Sequence, residues 1–451
     1  MDADKLRDVM RTALPRVKVL AFARKVGAMQ RQSLIELDGL VNALVLTART
    51  PSGGRQADVM RAYMKATGTE PVRGAFYLRF NEGLEALLEG LLRDALDAAQ
   101  RDRVLLPACL GGVRDWVAID SETVQLHQSL KGVYPGTGDY AAVKVHKAYS
   151  IGRHNLIDYE LSPARDHDSK RFKVTAAMRG VGLLMDLGYA SHERLRDCKE
   201  HGVSFVIKLK SRWKARIQDV HEGEVNDLFA GTDFAEALKL GKLRCEDGRL
   251  DVDVTLGHGK SAYTLRLVAV ETPEHALCVF LTNLPRERYP VESIAQLYRL
   301  RWEIEKSNKL DKSDFCLDDL DCRKPCSART MLYASLLGSS IAGRLVHADH
   351  CALVDTGKPI TRGPMHVRLV AMAIASMHVS ITEALDEDRP KAWQRLASTI
   401  RHLSCDPNWR RRPSVLDQLL GFTAAPGRPR RQKTVENATR VAENDHMAAS
   451  K

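Results

Sequence analysis

Apolar residues recur at helical spacing through the first hundred residues. The clearest stretches are SLIELDGLVNALVL (33–46) and NEGLEALLEGLLRDAL (81–96), in which apolar side chains return every three or four positions, as on one face of a helix. The breaker-rich segment TPSGG (50–54) and a shorter helix candidate, RQADVMRAYMKATG, lie between them. This pattern predicts a helical region over residues 1–105.

Within this region, residues 55–80 are a candidate helix-turn-helix. A basic helix candidate is followed by the turn residues TEPV and by a second basic segment, RGAFYLRF, which is the order that such a motif requires. An ordinary helical bundle with a solvated basic face has the same pattern, so both interpretations stay open. The basic residues concerned are Arg55, Arg61, Lys65, Arg73 and Arg79.

The pattern changes to short β-rich runs from about residue 115. DWVAIDSETVQL, AAVKVHKAYSI and NLIDYELS each end in turn-forming residues. A helical stretch (169–179), the strand GVGLLMDLGY, the helix ASHERLRDCKEHG and the strand VSFVIKLKSR follow. This order predicts a mixed α/β sheet with helices on its faces over residues 106–212.

The second half of the chain is predicted to hold an insertion and then helices. Residues 213–290 are β-rich and we interpret them as an inserted subdomain. A long helix is predicted between Pro290 and Pro325, because neither Gly nor Pro occurs inside it. The remaining predicted regions are the end of the α/β core, 291–350, a helical region, 351–425, and a polar, charged tail expected to be disordered, 426–451.

The composition narrows the class of protein. A chain of 451 residues with 44% hydrophobic residues is long enough for several domains with a substantial core. No apolar run reaches the roughly 18 residues of a membrane span, and MDADKLRDVM lacks the order of a signal peptide, so we expect a cytoplasmic protein without a membrane. The net charge of +11 favours polyanions such as nucleic acid, although many basic proteins bind none.

The cysteines and histidines give no sign of a metal centre. Nine cysteines at irregular spacings predict reduced thiols rather than a disulfide framework. Cys316, Cys322 and Cys326 form the densest group, but they lack the paired short spacing of a zinc site. We interpret His146 as a structural residue.

Two aspartates interrupt apolar runs of predicted strands. Asp120 follows WVAI, and Asp186 follows GLLM. An ionised carboxylate in such surroundings is costly unless a cation or a hydrogen-bond donor balances it. Either aspartate taken alone could instead be a strand-end residue that caps the next turn.

A polar stripe lies along the long predicted helix. Tyr298, Arg301, Glu305 and Lys312 occur at offsets 0, 3, 7 and 14, which in an ideal helix fall within an arc of roughly 60°. Glu303 points about 140° from the first of them and falls outside the arc. From these residues alone, a solvated surface with ion pairs between successive turns is the favoured interpretation of the stripe.

The same four residues carry a family resemblance. Their spacing, Y-x2-R-x3-E-x6-K, resembles the YREK signature of the insertion-sequence-four family of bacterial DDE transposases. MDLGYAS around Asp186, VAIDSETV around Asp120 and the segment FLTNLP are similar to that family as well. Leu187 and Ala190 depart from the polar residues that many relatives carry there.

The resemblance implies a fold and a function. The fold would be a ribonuclease-H-like mixed α/β core with an inserted β-rich subdomain, flanked by helical regions. Asp120, Asp186 and Glu305 would be the catalytic carboxylates and would hold two Mg²⁺ or Mn²⁺ ions, which suit oxygen ligands. The protein would be a bacterial cut-and-paste transposase that cleaves transposon ends and joins them to target DNA, acting as a homodimer on double-stranded DNA. The alternatives are a nuclease without strand transfer and an inactive, domesticated transposase that regulates by binding DNA.

Several residues are candidate DNA contacts. Lys208, Lys210 and Arg212 alternate with apolar residues in a predicted strand and would share one face of the sheet. Trp302 could stack on an unpaired base, although a core position is the common alternative. RRRP (410–413) and the AT-hook-like GRP of APGRPRRQK are possible accessory contacts or simply solvated segments. The full set of main candidates is Tyr298, Arg301, Lys312, Trp302, Lys208, Lys210, Arg212, Arg61, Lys65 and Arg73.

Overall fold

Helices with an apolar stripe form the N-terminal region, as predicted. The computed structural model describes residues 2–28, 34–48, 56–272, 276–357, 363–409 and 413–422. The helix α6 begins where the Asn81 side chain accepts a hydrogen bond from the Leu84 amide at 3.1 Å, which satisfies one of the free amides of the first turn. The helices are α1 (Ala3–Ala13), α2 (Arg16–Lys25), α3 (Leu37–Leu46), α4 (Gln56–Thr67), α5 (Arg73–Tyr77) and α6 (Glu82–Arg101).

The candidate helix-turn-helix differs from the expected motif. Its second helix, α5, has only five residues, because the chain extends at Asn81 to begin α6. Phe76 and Phe80 are buried, and the Phe76 ring packs at a tilt against the rings of Phe80 and of Tyr63 in α4. These aromatic contacts tie the segment into the helical bundle. Arg55 and TPSGG lie outside the described residues.

A nine-stranded sheet follows, in the order β3-β2-β1-β4-β5-β11-β10-β9-β6. The first three strands are antiparallel neighbours, whereas β1, β4 and β5 run parallel to one another. This is the strand arrangement of a ribonuclease-H-like core, so the predicted fold class is confirmed. The elements are β1 (Trp116–Leu126), β2 (Ala141–Ser150), β3 (Asn155–Pro163), β4 (Gly182–Met185), α7 (His192–His201), β5 (Ser204–Lys208), β6 (Arg216–Glu222), β7 (Glu224–Val225), α8 (Phe234–Lys239), β8 (Leu243–Arg244), β9 (Arg249–Leu256), β10 (Tyr263–Glu271) and β11 (Leu277–Thr282).

The β-rich insertion extends the core sheet. Strand β11 pairs antiparallel with β5, so four strands of the insertion continue the sheet, and β7 with β8 forms a separate two-stranded sheet. Apolar residues of β9 and β10, such as Val252 and Leu267, belong to the same buried cluster as Ile207 of β5. The insertion therefore shares a hydrophobic core with the strands that precede it.

The predicted helix at 169–179 is wrong. The segment contains two short 3-10 turns, Asp168–Lys170 and Ala176–Met178. The Phe172 carbonyl accepts a hydrogen bond from the Arg194 guanidinium at 2.6 Å, and Ser121 donates to the Asp168 carboxylate at 2.9 Å. These contacts with distant elements hold the segment in a non-helical path.

The long helix predicted between Pro290 and Pro325 is shorter and divided. Leu300 and Arg301 interrupt it, and their amides bond carbonyls three residues back, at 3.0 and 3.1 Å, which tightens the turn. The second helix ends at Ser313, because Phe315 is buried and Cys316 adopts a left-handed backbone with φ 57°. The helices are α9 (Val291–Arg299), α10 (Trp302–Ser313), α11 (Pro325–Asp355), α12 (Val367–Ser376), α13 (His378–Glu387), α14 (Pro390–Ser404) and α15 (Val415–Leu419).

The 31-residue helix α11 is the centre of the helical part of the molecule. It packs on α6, α3, α1 and α12, and it also contacts β3. All nine cysteines are free thiols. Within the described ranges, no single helix has the length and hydropathy of a membrane span, whereas α12 and α13, which meet at 74°, pass that test as a bent pair.

Candidate active site

Strand register brings the two aspartates together. In the parallel pair of β1 and β4, Ile119 lies opposite Met185. Asp120 is the next residue of β1 and Asp186 directly follows the last residue of β4, so the two are neighbours on the same side of the sheet. Asp186 follows β4 directly and precedes a 3-10 turn. The carboxylates therefore meet at the carboxyl end of the parallel strands.

Helix α10 covers this end of the sheet. The Asn308 side chain donates a hydrogen bond to the Asp120 carboxylate at 2.9 Å, which joins the helix to β1. One helical turn earlier, Glu305 pairs with Arg301 at 2.7 Å, and the Glu305 side chain is 40% exposed. The third predicted carboxylate thus lies beside the two aspartates with access to solvent.

The three carboxylates influence one another. The pKa of Asp120 is raised from 3.8 to about 6, mainly by burial. The negative charges of Asp186 and Glu305 contribute to this rise, whereas the Ser121 amide and Arg301 oppose it. Such coupling requires the groups to lie within a few ångströms of each other. The fold therefore brings close together three carboxylates that lie far apart in the sequence.

Metal-ligand geometry is not preformed in the part of the chain that the structure describes. No set of three His, Cys, Asp or Glu side chains there is arranged to hold a metal ion. Glu305 is engaged by Arg301, so this ion pair would have to adjust for Glu305 to join the aspartates.

Tyr298 and Arg301 lie together beside the carboxylates. The Tyr298 ring is buried, with Arg301 and Lys208 5.5 and 5.6 Å from its centroid. Burial raises the pKa of the Tyr298 hydroxyl to about 12, so it remains protonated at neutral pH. Burial opposes the charge of Arg301, but Tyr298, Glu305 and Asp186 raise its pKa, so the guanidinium remains a cation.

The helix phase distinguishes the two glutamates of α10, as the sequence predicts. Glu303 pairs with Lys306 at 2.6 Å and is 14% exposed, whereas Glu305 pairs with Arg301 and acts on Asp120. Lys312 lies two turns farther along, where its charge acts on Glu122. The polar stripe therefore extends from the three carboxylates to the buried Glu122.

The predicted basic strand is shorter than expected. Strand β5 ends at Lys208, which is exposed, so Lys210 and Arg212 lie in the following turn and do not share its strand face. Lys210 donates to the Ala190 carbonyl at 2.7 Å and lies 5.7 Å from the Trp213 ring centroid. One of these partners, the Ala190 carbonyl, lies outside the strand, on the segment that precedes α7.

Trp302 is on the surface. It is 62% exposed at the first position of α10, only three residues before Glu305. The common alternative, a core tryptophan, does not apply to this residue. Its indole ring is therefore open to solvent at the start of the helix that carries Glu305.

The basic residues of the N-terminal region have local partners. Arg61 pairs with Asp58 on the same helix, and Arg73 donates to the Tyr77 hydroxyl at 3.0 Å. Lys65 is exposed on α4. Arg410, Arg411, Arg412 and the GRP segment lie outside the described residues.

Sequence reasoning missed a buried polar group under the centre. Lys147 of β2 is fully buried and pairs with Glu122 of β1 and Asp311 of α10. The signals were present, because Lys147 interrupts an apolar strand and Asp311 follows Glu305 by nearly two helical turns. His146, in contrast, bonds Ser162 at 2.9 Å on the other face of the sheet, in agreement with a structural role.

The chain is similar to transposases of insertion sequences. It is 25% identical over 298 residues to the transposase for insertion sequence element IS421 of Escherichia coli, covering 55% of this chain and 77% of that protein. The transposase for insertion sequence element IS231E of Bacillus thuringiensis subsp. finitimus is 23% identical over 270 residues, covering 49% and 54%. A solved chain of a piggyBac transposase synaptic complex with hairpin DNA covers 90% of this chain and 86% of its own length, at 10% identity and a TM-score of 0.48.

A family model adds the assignment. The model described as the transposase DDE domain matches residues 111–339. This match covers half of the chain and includes the sheet, the insertion and helix α10. The chain therefore belongs to the DDE transposases of insertion sequences.

Proposed function

We propose that this transposase binds the terminal inverted repeats of its element, cleaves the DNA ends and joins them to target DNA. The observation that supports this most directly is the convergence of Asp120, Asp186 and Glu305 at one end of the sheet. Phosphoryl transfer requires positive charge where negative charge develops on phosphate oxygens. A cluster of carboxylates provides that charge by holding cations.

Divalent metal ions fit this donor set. Asp120, Asp186 and Glu305 offer only oxygen ligands, which Mg²⁺ and Mn²⁺ prefer. The raised pKa of Asp120 reflects burial and two like charges, a condition that a bound cation relieves. Two such ions, when bound, supply activation of the attacking oxygen and stabilisation of the leaving oxygen.

The cations around the carboxylates would hold the DNA backbone. Arg301 is held against Glu305 and the Tyr298 ring, so its planar guanidinium would be available beside the carboxylates to bind a phosphate. Lys208 is exposed beside the same ring, and Lys312 extends the row along α10. Together they would orient the scissile phosphate over the aspartates.

Trp302 would bind an unpaired base next to the cut. The exposed indole ring begins the helix that carries Glu305. A base lifted out of the duplex stacks favourably on such a ring, by about 1–3 kcal/mol. This contact would expose the neighbouring phosphate to the centre.

Double-stranded DNA and a second copy of the chain are the proposed partners. Joining both ends of an element requires that two ends be held at once, and a homodimer provides two equivalent centres. Arg61, Lys65 and Arg73 lie on helices α4 and α5 and would contact the repeats away from the cut, where a net charge of +11 assists association.

A strand-transfer assay tests the proposal. Oligonucleotides that carry the inverted repeats flanking the gene are incubated with the full chain, Mg²⁺ and a supercoiled target plasmid. We expect cleavage at the repeat ends and covalent joining to the plasmid. Cleavage without joined product would favour a nuclease, and repeat binding without cleavage would favour a DNA-binding regulator.

The Glu305→Gln variant is the control for the chemistry. It removes one carboxylate and retains the shape of the side chain, so binding to the repeats should persist while cleavage is lost. Persistent cleavage by this variant would contradict the assignment of Glu305.

A further inference from the structure

A buried polar network connects the carboxylate centre to the interior of the molecule. Asn308 and Asp311 lie on α10, one and nearly two turns after Glu305, and both are buried. Glu122 follows Asp120 by two residues on β1 and therefore projects from the same face of the strand. Lys147 of β2 completes the network.

Asn308 restrains the Asp120 carboxylate directly. Its Nδ2 donates to one carboxylate oxygen, Oδ2, at 2.9 Å. Asn308 is only 9% exposed, so water competes little for this hydrogen bond. This hydrogen bond restrains the position of Oδ2 and leaves Oδ1 without a bond from Asn308. The amide is neutral, so it orients Asp120 without neutralising it.

Lys147 is in position to neutralise Asp120 but is held elsewhere. It is the register partner of Asp120 in the antiparallel ladder of β1 and β2, so the two side chains start from adjacent positions on one face. Its ammonium instead bonds Glu122, and Asp311 at 2.5 Å. All three side chains of this buried triad, Glu122, Lys147 and Asp311, are at most 2% exposed.

We propose that Asn308 and the buried triad are positioning residues for Asp120. Asn308 orients the carboxylate, and the two acidic members of the triad hold the lysine ammonium away from it. A lysine paired with Asp120 would compete with a divalent cation for the same oxygens. This inference rests on the proposed role of Asp120 in holding metal, and it assigns to α10 a second task beyond carrying Glu305.

The first experiment measures metal binding by Asn308→Leu, with Asn155→Leu as a matched control. Asn155 is also a buried asparagine whose Nδ2 donates a hydrogen bond, to the Ser340 carbonyl at 3.0 Å, but it lies at the start of β3. Mn²⁺ binding to the DNA-free full chain is followed by the electron paramagnetic resonance signal of free Mn²⁺. The unfolding temperature is recorded with and without Mn²⁺.

A residue that orients a metal ligand and a residue that only stabilises the fold give different results in these two measurements. We expect Asn308→Leu to weaken Mn²⁺ binding about 10- to 100-fold, the range for loss of a residue that orients a metal ligand. Its Mn²⁺-induced rise in unfolding temperature should shrink accordingly. Asn155→Leu should lower the unfolding temperature of the metal-free protein but bind Mn²⁺ like the wild type. Wild-type Mn²⁺ binding by Asn308→Leu would overturn the role of Asn308.

The second experiment tests whether the triad sequesters the lysine. Asp311→Asn removes one of the two carboxylates that hold Lys147, so the ammonium can turn to Asp120 and Mn²⁺ binding should weaken about tenfold or more. Adding Lys147→Met removes the competing cation and should restore Mn²⁺ binding toward the wild-type level. If the double variant binds no better than Asp311→Asn alone, sequestration is wrong.

Asp120→Asn in the same Mn²⁺ titration distinguishes failure of the positioning inference from failure of the proposed function. If this variant loses Mn²⁺ binding while Asn308→Leu retains it, the inference about positioning fails and the proposed function stands. If Asp120→Asn binds Mn²⁺ as the wild type does, the metal-holding role of Asp120 fails, and the proposed function with it.

Discussion

The carboxylate centre and the basic N-terminal region satisfy their charges in different ways. At the centre, strand register and helix packing bring together Asp120, Asp186 and Glu305. Burial, with a smaller contribution from the two like charges, raises the pKa of Asp120 to about 6. In the N-terminal region, Arg61 and Arg73 find partners three and four residues away on the same helices. Long-range folding has brought like charges together at the centre, whereas in the helices Arg61 is paired with a carboxylate and Arg73 with a neutral hydroxyl, both within about one helical turn. An unbalanced charge at low exposure is the signature expected of a reactive site.

The largest effect is expected when an aspartate of the carboxylate centre is replaced. Asp120→Asn or Asp186→Asn should reduce DNA cleavage by about a thousandfold or more, because losing a metal ligand removes several kcal/mol of transition-state stabilisation. Single-turnover cleavage of a repeat-end duplex is the measurement. Asp168→Asn is the control, since Asp168 bonds Ser121 and Lys144, on the opposite face of the sheet. An equal loss in both would show that the sheet, and not the centre, is being disrupted.

Arg301 should have the next largest effect. Arg301→Ala removes the partner of Glu305 and a proposed phosphate contact, so we expect cleavage to fall about 100-fold, in line with a lost charge-assisted hydrogen bond at a buried site. Arg301→Lys keeps the charge without the planar fork and should recover only part of the rate. The rate constants come from cleavage at saturating DNA. Full activity in Arg301→Lys would mean that only the charge of this residue matters.

The prediction of the carboxylate centre combined local signals with the family resemblance that decided between the alternatives. Helical phase separates Glu305 from Glu303, and the structure pairs these residues with Arg301 and Lys306 respectively. An apolar run ending in aspartate locates Asp120 and Asp186 within a residue of their strand positions. The mixed sheet of the core was predicted from the succession of patterns, and its ribonuclease-H-like class from the family resemblance.

The failed predictions depended on contacts between distant segments. Lys210 left the expected strand because it bonds the Ala190 carbonyl, and the expected helix at 169–179 is held open by Arg194 at Phe172. Lys147 was visible as a charge in an apolar strand, but its partners lie 25 and 164 residues away in sequence. Periodicity predicts the face of a helix or strand on which a residue lies. The hydrogen-bond and ion-pair partners of that residue depend on how distant segments pack.

A third prediction concerns protons at the centre. Because the pKa of Asp120 is about 6, protons compete with metal below that pH, and the apparent affinity for Mg²⁺ should fall about tenfold for each pH unit below 6. Above pH 7 it should change little. The Mg²⁺ concentration for half-maximal cleavage, measured from pH 5 to 8, gives this dependence. A flat profile would contradict the raised pKa.

Stability of the metal-free protein provides an independent check. The folded pKa of Asp120 exceeds the unfolded value of 3.8, so the protonated form stabilises the fold. This contribution is complete below pH 3.8 and is lost as the pH rises through about 6. A rise from 3.8 to about 6 corresponds to roughly 3 kcal/mol of unfolding free energy. Asp120→Asn should remove this part of the pH dependence without Mg²⁺ present.

The smallest effect on DNA binding is expected in the N-terminal region. It tests whether basic residues with local partners still contact DNA. Arg73→Gln removes one exposed charge of α5, so binding to repeat DNA should weaken only several-fold, and the slope of log affinity against log salt should decrease by about 1. Arg93→Gln is the control, because Arg93 also has a local partner, Glu89 at 2.7 Å, but lies outside the proposed contact segment. If both variants keep the wild-type salt slope, α5 is an ordinary part of the helical bundle and the repeats are bound elsewhere on the protein. If only Arg73→Gln lowers the salt slope, Arg73 exchanges the Tyr77 hydroxyl for a DNA phosphate. A local partner would then not prevent an arginine from binding DNA, and the two regions would differ less than their charges suggest.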